Sequence, residues 1–427
     1  MKSRRRQLFL LCVLTCLLVP SAGAQTATVG PAETPAPPRN EELPPGIWRQ
    51  SHIITRAADE FERRMGGLGG PDDGFFIEMG NSITGAGFPT AGPGYRHHVF
   101  GDSALFTTSA TLSSRLYNTL QARIEWPNLA SERVNVGAQT LYMDSVRVDY
   151  FGLGSDTLVA QRSGYRLQDI DTSGFVSVKV DPFIFTVRGG LLAGLRVGNM
   201  AGFDAPYPNT RLVYDEVTAP GITRQPAFAY TELSVAVDRR DNPGHPTRGG
   251  LYQGTWAHYD DRDATRETFD RYELSGTHYI ATGSDNWILS VRGFSALSRT
   301  VDGNRVPFYL TPSLGGRTTL PGYRDYRFHG DQMAMVAAES RWALLRHLDA
   351  AVFTAFGKIG STIDELARSD TKPSYGFGVR FHSDRMMIGR VDVAHSPEGW
   401  RFIFAMSEPL QRSRPAAGST SVVPFVP

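Results

Sequence analysis

From Phe75 to Leu410 the chain alternates apolar and polar residues in segments of about ten, separated by runs rich in Gly, Pro, Asp and Asn. In Leu116 to Trp126, one face carries Leu116, Leu120, Ala122, Ile124 and Trp126, and the other Tyr117, Thr119, Gln121, Arg123 and Glu125. Trp287, Leu289 and Val291 oppose Ser290 and Arg292; Val336, Ala338, Trp342 and Leu344 oppose Glu339 and Arg341. Phe377, Val379 and Phe381 oppose Arg380 and His382, and Trp400, Phe402, Phe404 and Met406 oppose Arg401. A period of two places successive side chains on opposite faces of a β-strand. No long stretch in this region has helical period, so the fold is all-β.

The polar faces decide between the β architectures. In a sandwich they meet bulk water, and isolated charges suffice. Here they carry long side chains of mixed sign, Arg123 with Glu125, Glu339 with Arg341 and Arg390 with Asp392, as an enclosed hydrated lumen requires. Trp126, Trp287, Trp342 and Trp400 sit at strand ends, where a membrane barrel places its interfacial girdle. Composition agrees. A membrane β-barrel buries every second residue in lipid and so averages to a soluble-looking mean hydropathy, here -0.25 with 20% charged residues. A bundle of membrane helices is excluded, and 44 Lys+Arg against 43 Asp+Glu leave no basic field for nucleic acid.

Strand candidates lie at 75–82, 103–113, 116–126, 132–142, 164–180, 183–198, 228–238, 250–260, 268–280, 286–298, 332–345, 348–359, 374–382, 385–394 and 399–407, which is 15. A single-chain bacterial barrel needs an even number to close antiparallel. The expectation is therefore a 16-stranded antiparallel transmembrane β-barrel, with the missing strand inside 142–180. Short connections at 127–131, 281–285 and 383–384 alternate with long ones at 199–227 and 299–331, as periplasmic turns and external loops do.

The N-terminus reads as an export peptide: Lys2, Arg4, Arg5 and Arg6, an apolar run from Leu8 to Val19, and Ala22-Gly23-Ala24 before the expected cleavage at residue 24. Both cysteines, Cys12 and Cys16, fall inside it, so the mature chain can form no disulfide. Residues 25–52 are a Pro-rich linker, and 53–74 hold a short periplasmic helix, with Ile53, Ile54, Ala57, Ala58, Phe61 and Met65 on one face, and a Gly-rich hinge. Residues 75–410 form the barrel and 411–427 a tail.

The long connection 299–331 carries a specific signature. The run Gly315-Gly316-Arg317-Thr318-Thr319-Leu320-Pro321-Gly322-Tyr323, continuing to Arg327-Phe328, resembles the sixth-loop motif of the bacterial surface antigen family. That superfamily comprises outer-membrane protein-assembly barrels and two-partner secretion transporters. Asp238-Arg239-Arg240-Asp241-Asn242-Pro243 with Pro246-Thr247-Arg248-Gly249-Gly250 is similar to the family's strand end and turn. Ala338-Glu339-Ser340-Arg341 matches its Glu-x-Arg strand, and Gly399, Phe402 and Phe404 its terminal assembly signal. The resemblance implies a loop folded into the lumen and an outer-membrane location. It also implies a role in inserting or passing polypeptides, and dependence on barrel-assembly machinery for the chain's own insertion.

The chain departs from that pattern in two places. The family's loop arginine, which pairs with an aspartate in a Phe-x-Asp-x-Gly motif, is Pro321 here, and Ala355 stands where the aspartate belongs in Phe353-Thr354-Ala355-Phe356-Gly357. The loss of both partners is coherent, because one buried charge without the other is costly. The expectation is a loop that folds inward on Gly322, Tyr323 and Phe328 without a charged lock. The 25–74 segment also leaves no room for the polypeptide-transport-associated domains of client-binding members.

Other motifs are weaker. Gly101-Asp102-Ser103 with Asp392 and His395 imitates serine-esterase blocks, but Asp392 and His395 have opposite parity on one strand. The adjacent His97 and His98 likewise point to opposite faces and have no nearby acidic partners in the sequence, so no metal site is expected. Asp238, Arg239 and Asp241, with Glu339, Arg341, Arg380, Arg390 and Asp392, are the expected lumen charges; of these, Asp238, Arg239 and Asp241 read better as a turn network than as a gate. No catalytic residue and no cofactor are expected. The reading is a monomer in outer-membrane lipid whose client polypeptide is unidentified, with a passive or gated solute channel as the alternative.

Overall fold

The computed structural model describes residues 73–405, apart from 81–84, 88–89, 203–205, 243–244, 284–285, 302 and 383–386. The expected export peptide, linker, helix and tail lie outside these residues. Among the described residues, sixteen strands form one antiparallel sheet in which each strand pairs with its neighbour in the chain. They are β1 (Gly74–Gly80), β2 (Thr90–Val99), β3 (Ala104–Ser113), β4 (Asn118–Asn128), β5 (Val134–Tyr150), β6 (Ser163–Val180), β7 (Phe183–Gly198), β8 (Phe228–Asp238), β9 (Gly249–Asp261), β10 (Phe269–Ala281), β11 (Trp287–Thr300), β14 (Gln332–Leu345), β15 (Leu348–Gly360), β16 (Lys372–His382), β17 (Met387–Ser396) and β18 (Gly399–Ala405). Between β11 and β14, the two-residue strands β12 (Ser313–Leu314) and β13 (Phe328–His329) form a separate hairpin.

The missing strand is β2, not a piece of 142–180; that region instead extends two long strands, β5 and β6, of 17 and 18 residues. Thr-Ala-Gly-Pro-Gly reads as a turn, because Gly and Pro weaken a strand. The ladder shows how β2 tolerates them. Its pairing with β3 runs Thr90 to Ser113 and Ala91 to Leu112, then resumes at Gly94 opposite Ser109, so Pro93, which has no N–H, meets no partner on that side.

Burial is inverted relative to a water-soluble protein. Arg123, Glu125, Asp171, Arg188, Glu339, Arg341, Arg380, Arg390 and Asp392 are buried. On the opposite parity of the strands, Leu120, Val187, Leu274, Val352, Phe377 and Phe402 are exposed. Charged residues persist inside only when paired, and a continuous apolar exterior is what lipid selects. Trp287 and Trp342 stack at 6.3 Å on this outer face, and Phe100 stacks on Trp126 at 5.9 Å.

Hairpin connections alternate in length between the two ends. One end carries the long loops 199–227 and 301–331; the other carries turns such as 181–182 and 346–347. A six-residue helix, α1 (Ile363–Arg368), sits in a long-end loop, capped by Thr362, whose side chain accepts from the Glu365 N–H.

Candidate functional site

The 301–331 loop turns into the barrel. Its signature has local physical causes. Gly315 and Gly316 have φ of +123° and +79°, and a Cβ on either would lie about 2 Å from an oxygen, the Arg324 carbonyl at 2.1 Å or Asp325 Oδ1 at 2.0 Å. The tight turn they permit is closed by Gly315 N–H donating to Thr319 Oγ1 at 2.8 Å and Gly316 N–H to the Tyr323 carbonyl at 3.1 Å.

Beyond this turn the loop tip lies on the wall. Leu314, Leu320, Tyr323 and Phe328 pack with Met335, Ala337, Ala355 and Ile359 of β14 and β15. Gly322 makes the closest approach: its N–H donates to Ser374 Oγ, its carbonyl accepts from Ser396 Oγ, both at 2.8 Å, and a Cβ would meet the His395 carbonyl at 2.4 Å. Pro321 is buried beside it.

The wall below carries the charges. Arg380 on β16 donates to Glu339 of β14 at 2.6 Å and also pairs with Asp392 of β17, which Arg390 engages as well. Arg390 donates in turn to the carbonyl of the buried Arg317 at 3.3 Å. Glu339 is therefore occupied by a cation from the wall. Positions 321 and 355, being Pro and Ala, can form no ion pair, but a guanidinium sits six residues after Pro321. Arg327 donates to Glu398 at 2.6 Å, to Thr157 Oγ1 at 2.8 Å and to the Thr157 carbonyl at 2.6 Å. Sequence reasoning placed Arg327 in the signature but could not find Glu398 or Thr157, which lie 71 and 170 residues away.

At the long-loop end an aromatic core packs loop residues against strands β5 to β10. Phe308 is fully buried, with ring centres at 4.9 Å from Tyr150 and 4.8 Å from Tyr165. Ala219 and Ile222 of the 199–227 loop, and Val306, Tyr309, Leu310 and Tyr326, belong to the same cluster. His329 lies against Tyr150 at 5.1 Å, and its burial pushes its pKa down to about 3.

At the short-turn end, the β8–β9 turn reaches the far wall. His245 Nε2 lies 2.8 Å from Asp349 Oδ2, His382 Nε2 lies 3.3 Å from Oδ1, and Arg341 Nε approaches Oδ2 at 3.2 Å. Burial first, then the Arg341 charge, pushes His245 down to about 3, so it is neutral. The three potential ligand atoms lie within 4.8 Å of one another, as a metal site requires. The rings, however, stack at 3.7 Å with 19° between planes, and a bound cation lies in the plane of each imidazole. One ion cannot lie in both planes, so the group as arranged is a hydrogen-bonded clasp.

The remaining expected residues are placed as follows. Asp238 pairs with Arg240 at 2.6 Å, while Arg239 and Asp241 are exposed in the turn and away from the lumen wall; Asp241 accepts from the N–H groups of Asn242 and Thr247. Gly399 opens β18, and Phe402 and Phe404 stand exposed on its outer face. Asp392 is inside, whereas His395 packs outside between Tyr375 and Trp400, and Ser103 donates to the Phe100 carbonyl, so the esterase-like residues form no triad. His97 and His98 do find an acid, contrary to expectation: Asp73, just before β1, lies 2.6 Å from both Nδ1 atoms.

A sixteen-stranded sheet with a lipid-facing exterior, a charged interior and one long loop seated inside defines an outer-membrane β-barrel with an inward-folded loop. The Omp85 superfamily domain matches residues 99–396, and the chain belongs to that superfamily. Among solved structures it is similar to BamA from Haemophilus ducreyi lacking POTRA domains 1-3, with 14% identity, a TM-score of 0.59, and coverage of 86% of this chain and 81% of that one. It is also similar to CdiB from Escherichia coli, with 12% identity, a TM-score of 0.50 and 78% of this chain covered; the match spans 61% of CdiB. At these identities the likeness is one of fold. No curated protein matches the sequence.

Proposed function

We propose that this outer-membrane barrel inserts or translocates polypeptides at the membrane in which it sits. The observation that carries this reading is the loop 301–331 seated in the lumen beneath a packed aromatic core. A standing pore for small solutes needs a hydrated path, and Phe308, Tyr309 and Tyr326 are buried across the long-loop mouth. A plug built of loops instead suits a barrel that opens only when a chain engages it. Membership of a superfamily of assembly and secretion barrels supports the same reading, with outer-membrane lipid, a client polypeptide and, for its own insertion, the barrel-assembly machinery as partners.

Planar-bilayer recording combined with a folding assay tests it. The expected result is a silent membrane, together with faster folding of other barrels into vesicles that contain the protein. Steady open current with no effect on client folding would establish the solute channel instead.

A further inference from the structure

We infer that Arg327 and Glu398 form the charged latch that holds the loop in the lumen, at the long-loop rim and not at the loop tip. The Arg327 guanidinium is buried and uses all three of its nitrogens: Nε to Glu398 Oε1, Nη1 to Thr157 Oγ1 and Nη2 to the Thr157 carbonyl. The rings of Phe151 and Phe328 lie 4.8 Å and 4.3 Å from its carbon centre, which excludes water and adds cation–π attraction. One side chain thereby ties the inward loop to the β5–β6 loop and to the β17–β18 turn. The bond to Glu398 is charge-assisted, and such bonds are about twice as strong as neutral ones, while the Thr157 oxygens satisfy the rest of the guanidinium.

The loop tip is held differently. Gly322 is anchored by two neutral hydroxyls, and Leu320 and Tyr323 by apolar contact with the wall. Arg401 lies 3.9 Å from Asp325 of the same limb. The contacts of Leu320, Gly322 and Tyr323 can therefore be exchanged for those of an entering chain without breaking an ion pair, whereas unseating the whole loop must break Arg327 from Glu398. Tip displacement and loop release become separate events, with the latch controlling the second. This does not depend on what the barrel transports.

The test uses the full chain with Cys12→Ala and Cys16→Ala, and Ser313→Cys as a single thiol. Ser313 is 5% exposed on β12, so maleimide labelling reports loop release. Glu398→Gln is expected to raise the labelling rate about tenfold or more, the effect of weakening one hydrogen bond between charged groups, and Arg327→Gln, which also gives up both Thr157 contacts, by more. The double variant should add little to Arg327→Gln alone, because that change already removes the bond to Glu398. Arg327→Lys, which keeps the charge but not the fork, should fall between. Labelling at the parent rate in both single variants, with the barrel folded by heat-modifiable mobility, overturns the latch; so does full multiplicativity in the double variant. Should Arg327→Gln fail to fold, Glu398→Gln decides alone, since it alters a turn residue and leaves the guanidinium its Thr157 contacts.

Discussion

Arg380 donates to Glu339 at 2.6 Å across the intervening strand β15, its guanidinium 6.0 Å from the ring centre of Phe353. It also holds Asp392, which Arg390 engages as well, so two cations and two buried carboxylates form one chain. Arg380→Leu leaves Glu339 without its cation and Asp392 with Arg390 alone, and is expected to cost about 3–5 kcal/mol. Urea unfolding of the barrel in vesicles should show that loss, and Glu339→Gln, which leaves Arg380 its Asp392 partner, should cost less. Equal losses would mean that the two carboxylates are not held as one unit.

Gly322→Ala tests the seat of the loop tip. The added Cβ lies 2.4 Å from the His395 carbonyl, so the tip must lift and lose its bonds to Ser374 and Ser396. A cost of about 1–3 kcal/mol is typical of overpacking at such a site. Hydrogen exchange of residues 315–330 should accelerate accordingly.

Pro321→Arg restores the family's loop cation but is not expected to tighten the loop. Glu339 is already paired with Arg380, and Arg390 and the buried Arg317 are close by, so the new charge meets like charge. Exchange protection of the loop should stay level or fall; a gain would reveal an acid free to receive it.

Glu267 gives the long-loop end a pH dependence. Burial, with Glu216 and Asp261 adding repulsion, raises its carboxyl to about 8, against an ordinary value near 4.5. A raised folded-state pKa means that the folded state holds the proton more tightly than the unfolded one. The contribution is full below about 4.5, declines as the pH rises towards 8, and is lost above it. Proteolysis of the 262–268 loop should therefore quicken between pH 5 and pH 8, about the span of that titration, and Glu267→Gln should flatten the profile.

Phe308→Ala removes the ring at the centre of the aromatic core. A loss of about 3–5 kcal/mol is usual for such a truncation. Because Phe308 packs against both Tyr150 and Tyr165, the variant should show higher ion conductance in planar bilayers than the parent. Silence in a folded variant would show that the mouth is closed elsewhere.

The barrel was legible in the sequence because its burial rule is local: Arg123 and Glu125 fall inside and Leu120 and Ala122 outside from their parity alone. β2 was not, since Gly92, Pro93 and Gly94 carry a turn's composition and persist through pairing supplied by β1 and a gap in the β3 ladder. The loop tip announced itself through Gly315, Gly316 and Gly322, each needed for a conformation or an approach no other residue allows. Arg327 with Glu398, and His97 and His98 with Asp73, were illegible for a common reason. Each joins residues remote in the chain, and charge pairing leaves no periodic trace.

The clasp of His245, Asp349 and His382 has a mechanical consequence. It runs from the β8–β9 turn to β15 and β16, strands far around the circumference, so it acts as a chord across the short-turn mouth. A curved sheet can flex about its strand pairs without breaking any of them, but one spanned by a chord is held against that motion. Any chain entering from that side must pass beside a fixed strut or first pull His245 out of its stack.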